Sequence, residues 1–299
     1  MTTLLLGEAL VDLVCERPVT SLADAPAFVP HVGGSPANVA ITAARLGTRV
    51  ALAGGVGADA WGAWVRDRLA AEGVGVGLVA TLAGHATAVA FVTVDRDAQP
   101  AFLIHAGAAA AAMTRIAEEL PAAVDAADAL VLSTGTMVGD DERAVTMEAR
   151  ERALARGIPV LFDPNLRPER WGNAARAISV ARECVDGAFL VKANAAETAA
   201  LTGERNPDAA AQALLAGGAR HVVITLGAGG ALLRGGGLRL DVAGAPADAV
   251  DTTGAGDAIT GVLLARLAAS GFYAPAMAAA LPEAVAHAAR VTAVWGALV

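Results

Sequence analysis

From Asp128 onward one unit recurs along the chain: a short apolar run, a small polar cluster, then a longer stretch with helical periodicity. "ALVLSTGT" (Ala129–Thr136) precedes "DERAVTMEARERALARG", "IPVLFDPNLRP" precedes "NAARAISVARECV", "GAFLVKANAAE" precedes an alanine-rich helical stretch, and "HVVITLGAGG" follows it. Short runs that stay apolar without alternating are strands buried on both faces, and such strands separated by helices pair in parallel. The expectation is an α/β fold with a mostly parallel central sheet, whose ligands bind beyond the carboxyl ends of the strands. Those ends carry Thr134 and Gly135; Asp163, Asn165 and Arg167; Lys192, Asn194 and Glu197; and Thr225, Gly227, Gly229 and Gly230. One polar strand end is ordinary loop chemistry, whereas four in succession point to a shared crevice.

The first half reads differently. "TTLLLGEALVDLV" opens with a strand, "SPANVAITAARLG" reads as a helix capped by Ser35 with Pro36 in its first turn, and "VALAGGVG" is another strand. After the helix-like "WGAWVRDRLAAEG", residues Ala86–Val94 and Pro100–His105 alternate like exposed antiparallel strands. With part of Val11–His31 they are expected to form a small sheet projecting from a single domain of 299 residues. Its strands would come from about residues 11–31 and 86–106.

The hydrophobic fraction of 55% and mean hydropathy of +0.52 come largely from alanine, and the longest charge-free run, Gly73–Val94, is broken by glycines, threonines and His85. No membrane span is expected. "MTTLLLGEALVD" has no basic start and meets Glu8 and Asp12 early, so no secretory signal is read and the expected location is the cytoplasm. A net charge of −8 argues against nucleic acid as a partner. Cys15 and Cys184 are isolated, and no two histidines stand three or four residues apart, so neither a disulfide framework nor a zinc site is indicated.

"DTTGAGDAITG" (Asp251–Gly261) combines glycines with a carboxylate just before an apolar helical stretch. A helix starting near Asp257 leaves backbone N–H groups unpaired, and Gly254, Ala255 and Gly256 let an anion approach them. Asp257 is then either a helix cap or a base for a hydroxyl attacking a phosphoryl group. Competing phosphate motifs do not match. Lys192 is the sole lysine and lies outside any G-x-x-x-x-G-K-[ST] context. "GVGLVA" (Gly75–Ala80) has the glycine spacing of a dinucleotide turn, but it follows a helix and runs into strand-like alternation, the reverse of the required order.

"GGSPANVA" (Gly33–Ala40), "DPNLR" (Asp163–Arg167), "KANAAE" (Lys192–Glu197), "TLGAGG" (Thr225–Gly230) and "DTTGAGD" stand in the order and approximate spacing of ribokinase-like (PfkB) carbohydrate kinases. The chain resembles that family over essentially its whole length, and the opening "GEALVDLV" looks most like the fructokinase branch. The resemblance implies a ribokinase-like three-layer α/β/α domain with a small β-sheet lid, and an enzyme moving the γ-phosphoryl group of ATP to a sugar hydroxyl. By resemblance, Asp257 is the catalytic base and Gly254, Ala255 and Gly256 form an anion hole that works without a P-loop lysine. Asp12, Gly33, Gly34 and Asn38 match sugar-binding positions. Asn194 and Glu197 match an element that places Mg²⁺ and nucleotide phosphates through water. Thr225, Gly227 and Gly230 match the nucleotide turn and Asp251 and Thr253 a site for a monovalent cation such as K⁺, while His287 stands where relatives carry asparagine near the adenine, to pack on the base or fill the core.

The chain departs from the family pattern in places. "FLIHAGAAAAAM" (Phe102–Met113) lacks the usual arginine and Ala-Ala-Asp, so a lid contact is absent or replaced by His105, and Ile259 and Val262 alter packing after the base. Arg167 could bind a substrate carboxylate, as in 2-keto-3-deoxygluconate, or pair with Asp163 or a neutral sugar's hydroxyls. Fructose is the leading expectation from "GEALVD". Outside catalysis, the alternatives are a silent sugar- or nucleotide-binding regulator and a scaffold with a relic site. The apolar lid sheet also raises the expectation of a homodimer.

Overall fold

The computed structural model describes every residue except Ala106, the last position of the expected lid stretch. Strand β1 (Thr2–Leu6) breaks at Gly7–Ala9 and continues as β2 (Leu10–Pro18), followed by β3 (Val29–Gly33), α1 (Ser35–Arg45), β4 (Arg49–Gly57), α2 (Ala60–Ala71) and β5 (Gly75–Leu82). Next come β6 (Val89–Val94), β7 (Pro100–His105), α3 (Ala109–Arg115), α4 (Leu120–Asp125), β8 (Ala129–Leu132), α5 (Asp140–Ala155), β9 (Val160–Phe162), α6 (Ala174–Glu183) and β10 (Leu190–Asn194). The remainder is α7 (Ala195–Thr202), α8 (Pro207–Ala216), β11 (Val222–Thr225), β12 (Ala231–Gly235), β13 (Leu238–Val242), α9 (Ala255–Ala269) and α10 (Ala276–Thr292).

Nine strands form the main sheet in the order β13-β12-β11-β10-β9-β8-β1-β4-β5. Strands β5 to β11 in that row run parallel, and β12 and β13 add an antiparallel edge. The strands β8, β9 and β11 are buried at every position, which is why they read as unbroken apolar runs. Alternation in β1 divides the core. Leu5 joins the layer with Ile41 of α1, Val262 of α9 and Leu281 of α10, while Leu4 and Leu6 join the opposite layer with Val180 of α6 and Leu214 of α8. Burying one such leucine is worth about 1.5–3 kcal/mol. The three-layer α/β/α arrangement is therefore built by the pleat itself.

The chain leaves β1 for β4 and β5 on one side, then returns to β8 on the other, so the order reverses at β1. That switch point leaves a crevice above the carboxyl ends of β1 and β8. "GVGLVA" is the first six residues of β5, a strand where a dinucleotide site would need a turn. The alanine-rich stretch after "KANAAE" is two helices, α7 and α8, separated at Gly203, which takes a left-handed φ of 83°.

The lid is a second sheet in the order β3-β2-β6-β7. Strands β6 and β7 pair antiparallel, while β2 and β6 run parallel. Leu10, Val14, Ala90 and Val92 form its small core, with Phe102, Ile104 and Trp295 packed against it. Among the described residues no helix is long and apolar enough to cross a membrane. Cys15 and Cys184 are buried free thiols, and burial pushes Cys184 up to about 12.

Candidate active site

The lid and the carboxyl ends of the main strands enclose a cavity of about 240 Å³. Its floor is the start of α9. The helix begins at Ala255, two residues before the expected position, so Asp257 sits in its first turn. Gly254 is the N-cap in a left-handed conformation, φ 75°, and among the described residues no side chain caps the helix start, although Ala255 N–H donates to the Thr252 carbonyl at 3.3 Å. Gly254, Gly256 and Asp257 face the cavity.

Both carboxylate oxygens of Asp257 are held from α1. Ser35 Oγ donates to Oδ1 at 2.6 Å and Asn38 Nδ2 donates to Oδ2 at 2.9 Å. Ser35 was expected as the cap of α1; the N-cap is Gly34, and the Ser35 hydroxyl is spent on Asp257 instead. Serine and asparagine three residues apart share one helix face, so a single turn orients the carboxylate. Burial pushes the Asp257 carboxyl up to about 6, opposed by the Lys192 charge and these two hydrogen bonds.

Asp12, on β2, is also buried in the cavity wall. Burial first, and then the charges of Asp257 and Asp251, push it up to about 7, with Arg167 opposing. Gly33 is glycine for a geometric reason: a Cβ there would lie 2.3–2.6 Å from the Asp12 carboxyl atoms. Gly34 has φ 98°, and its Cβ would meet the Glu8 carbonyl at 2.3 Å.

Opposite, Asp163 accepts hydrogen bonds from Lys192 Nζ and Thr260 Oγ1, each at 2.9 Å on Oδ2. Arg167 is therefore not the partner of Asp163. It donates to the Leu166 carbonyl and stacks on Phe102 of the lid at 5.7 Å, while lining the cavity. Asn194 and Glu197 also line it, bound to each other in a capping box. The Glu197 carboxylate accepts from the N–H groups of Leu166 and Asn194, both at 2.9 Å. Burial, then Asp163, raise its pKa.

Other expected residues lie beside or beyond this cavity. Asp251 is fully buried under the turn; its oxygens accept from Thr253 N–H and Oγ1 and from Gly296 N–H. Thr225, Gly227 and Gly230 form a separate turn after β11, in which Gly227 and Gly230 have φ of 58° and 97°. His287 lies on α10, where its Nδ1 meets Arg290 Nη2 at 2.9 Å, and it does not reach the cavity. His105 points outward and packs edge-on to Phe91, so it does not replace the lid contact; Phe102 and Ile104, its alternates on β7, face the cavity. Ile259 and Val262 are core residues.

Ser35 and Glu8 escaped the sequence reading of roles, and Lys192 was read only as one of the strand-end residues of the crevice. Glu8 follows β1 and lines the cavity, with Arg170 4.0 Å away and one carboxylate oxygen buried without a partner. The Ser35–Asn38 spacing was a usable signal. A lone lysine in an otherwise apolar strand was another.

The arrangement gathers buried carboxylates, an uncapped helix start and several hydrogen-bonding side chains around one cavity. The family model described as pfkB family carbohydrate kinase matches residues 3–294. Fructokinase-1 of Oryza sativa subsp. japonica is 34% identical over 262 residues, covering 87% of this chain and 81% of the rice protein. The crystal structure of Xylella fastidiosa fructokinase with bound ATP superposes with a TM-score of 0.85 at 29% identity, covering 99% of this chain and 93% of that one. A double mutant of the Vibrio cholerae O395 fructokinase, bound to fructose, ADP and potassium ion, gives 0.84 at 28% identity, with 99% and 94% covered.

Proposed function

The chain belongs to the pfkB family of carbohydrate kinases, and from that premise we propose that it phosphorylates fructose at the expense of ATP, working in the cytoplasm. The observation that carries the reading is the Asp257 carboxylate, fixed by Ser35 and Asn38 at the same helix start as the Gly254–Gly256 turn. Base and anion hole thus belong to one rigid element. Sugar binds beneath the lid between Asp12, Asn38 and Arg167, and Asp257 takes the proton of one hydroxyl. That oxygen forms a bond to the γ-phosphorus as the bond to the β-phosphate oxygen breaks, and ADP leaves. The N–H groups of Gly254 and Gly256 stabilise the charge on the group in flight, while that of Ala255 is held by the Thr252 carbonyl at 3.3 Å.

The residues suit Mg²⁺ held chiefly by phosphates. Both Glu197 oxygens already accept backbone N–H groups, and no cluster of three His, Cys, Asp or Glu among the described residues could hold a metal alone. Glu197 and Asn194 would hold such an ion through its waters, and it would supply charge neutralisation between the phosphates. Asp251 suits a monovalent cation. It is fully buried and, among the described residues, bonded only to neutral donors, so a K⁺ ion beside Asp251 and Thr253 would compensate its charge. The nucleotide lies along Thr225, Gly227 and Gly230. The exposed outer face of the lid, with Leu103 beside Phe91, is read as a homodimer contact that light scattering tests.

Arg167 favours a second reading. Its guanidinium faces the cavity with no carboxylate within ion-pair distance among the described residues, which would suit an acidic sugar such as 2-keto-3-deoxygluconate. ADP release with Mg·ATP, measured against fructose, 2-keto-3-deoxygluconate, ribose, tagatose and nucleosides, decides. Fastest release with fructose is expected; release with none of them would leave a binding protein without turnover.

A further inference from the structure

The chain lacks the lysine-bearing phosphate loop, yet its sole lysine arrives at the same place from another element. Lys192 is the third residue of β10 and is buried. Its ammonium lies 2.7 Å from the position a Cβ on Gly256 would occupy, so it stands directly beside the second glycine of the anion hole. Asp163 anchors it at 2.9 Å, and Thr260 anchors Asp163 in turn. Thr260 lies one turn beyond Gly256 on α9 and also contacts the Gly256 carbonyl at 3.2 Å, so the ammonium is tied to the helix it serves.

An ammonium has three N–H donors, and among the described residues only Asp163 accepts from this one. The remaining donors are on a group that lines the cavity. Burial alone would lower its pKa, but Asp163, Glu197 and Asp257 outweigh burial and keep it charged. A buried cation with spare donors at a helix start calls for an anion carrying several acceptor oxygens.

We propose that Lys192 donates to a non-bridging oxygen of the phosphoryl group as it passes from ATP to the acceptor, adding a full positive charge to the partial charges of the Gly254 and Gly256 amides. This rests on the kinase reading above. The competing account makes Lys192 only the counter-ion of Asp163.

Two variants separate the accounts. Lys192→Met should lower kcat about 100-fold or more with little change in the sugar KM. In Lys192→Met/Asp163→Asn the buried Asp163 charge is removed together with its partner, so this variant should fold, and it should remain as slow as the single variant. A parallel arm needs no sugar. By calorimetry on the double variant, affinity for an ATP analogue with a non-hydrolysable β,γ bridge should fall at least about tenfold more than affinity for ADP. Recovery of wild-type kcat in the double variant, or equal weakening of the two nucleotides, overturns the proposal. If the wild type turns over no sugar, the kinase reading fails, and the nucleotide comparison still decides the place of Lys192.

Discussion

Asn38 Nδ2 donates to Asp257 Oδ2 at 2.9 Å across 219 positions of sequence, so a residue matched to sugar binding also orients the candidate base. With Ser35 on the other oxygen, the first turn of α1 holds the first turn of α9 in a fixed relation. In the kinase reading, sugar recognition and proton transfer are then coupled through a single carboxylate.

Asp257→Asn keeps the shape of the side chain and removes its basicity. The expected outcome is a loss of kcat of roughly 10²–10⁴-fold, with nucleotide affinity by calorimetry changed only severalfold. Near-normal kcat would remove Asp257 from the role of base.

Ser35→Ala tests the coupling through pH. The Ser35 hydroxyl bonds to the ionised carboxylate and so lowers its pKa, which burial has raised to about 6. Deleting that bond raises the pKa further, and the base is competent only above it. The acid limb of kcat/KM should therefore move to higher pH, with a severalfold loss at pH 6 and a smaller one at pH 8. An unmoved limb would show that another group sets it.

The parts of the site legible in sequence are those written locally. The strand-end clusters announce themselves because buried parallel strands are unbroken apolar runs, and Gly254–Asp257 because a bare helix start needs glycine. The Ser35–Asp257 bond spans 222 positions and leaves no local period to read. Lys192 was legible as a residue but not as a neighbour of Gly256, since that contact depends on how β10 sits beneath α9. The parallel β2–β6 pair was hidden for the same reason: alternation marks a strand's faces, not its partner's direction.

Asp12 carries a stability signature. Burial and the nearby Asp257 and Asp251 charges lift its pKa from 3.8 to about 7. Between those values the folded state keeps a proton that the unfolded chain has released, so this stabilisation is complete below the lower pH and lost as pH rises through the upper one. Asp12→Asn removes the titration. Its melting temperature should gain on the wild type between pH 5 and pH 8, ending at least about 3 °C ahead. Parallel curves would mean that Asp12 ionises normally.

The two glycines of the anion hole should fail in opposite ways when changed to alanine. At Gly254 the left-handed φ of 75° already disfavours a side chain by roughly 1 kcal/mol, and a Cβ would stand 2.4–2.7 Å from the side chain and backbone of Ala297. Neither neighbour can yield without moving the segment whose Gly296 N–H binds Asp251. Gly254→Ala should therefore lose both turnover and about 2–4 kcal/mol of stability. Gly256 has helical geometry, and its added Cβ would meet only the end of the Lys192 side chain, whose ammonium need shift by only a few tenths of an ångström while keeping its bond to Asp163. Alanine is also the better helix former by up to about 1 kcal/mol, so Gly256→Ala should melt within a few degrees of the wild type. It should nevertheless lose most of its kcat, because the methyl group occupies the gap between the helix start and the ammonium. Thermal melts and steady-state kinetics on the pair check this, and a stable, fully active Gly256→Ala enzyme would mean that this gap is not where the phosphoryl group passes.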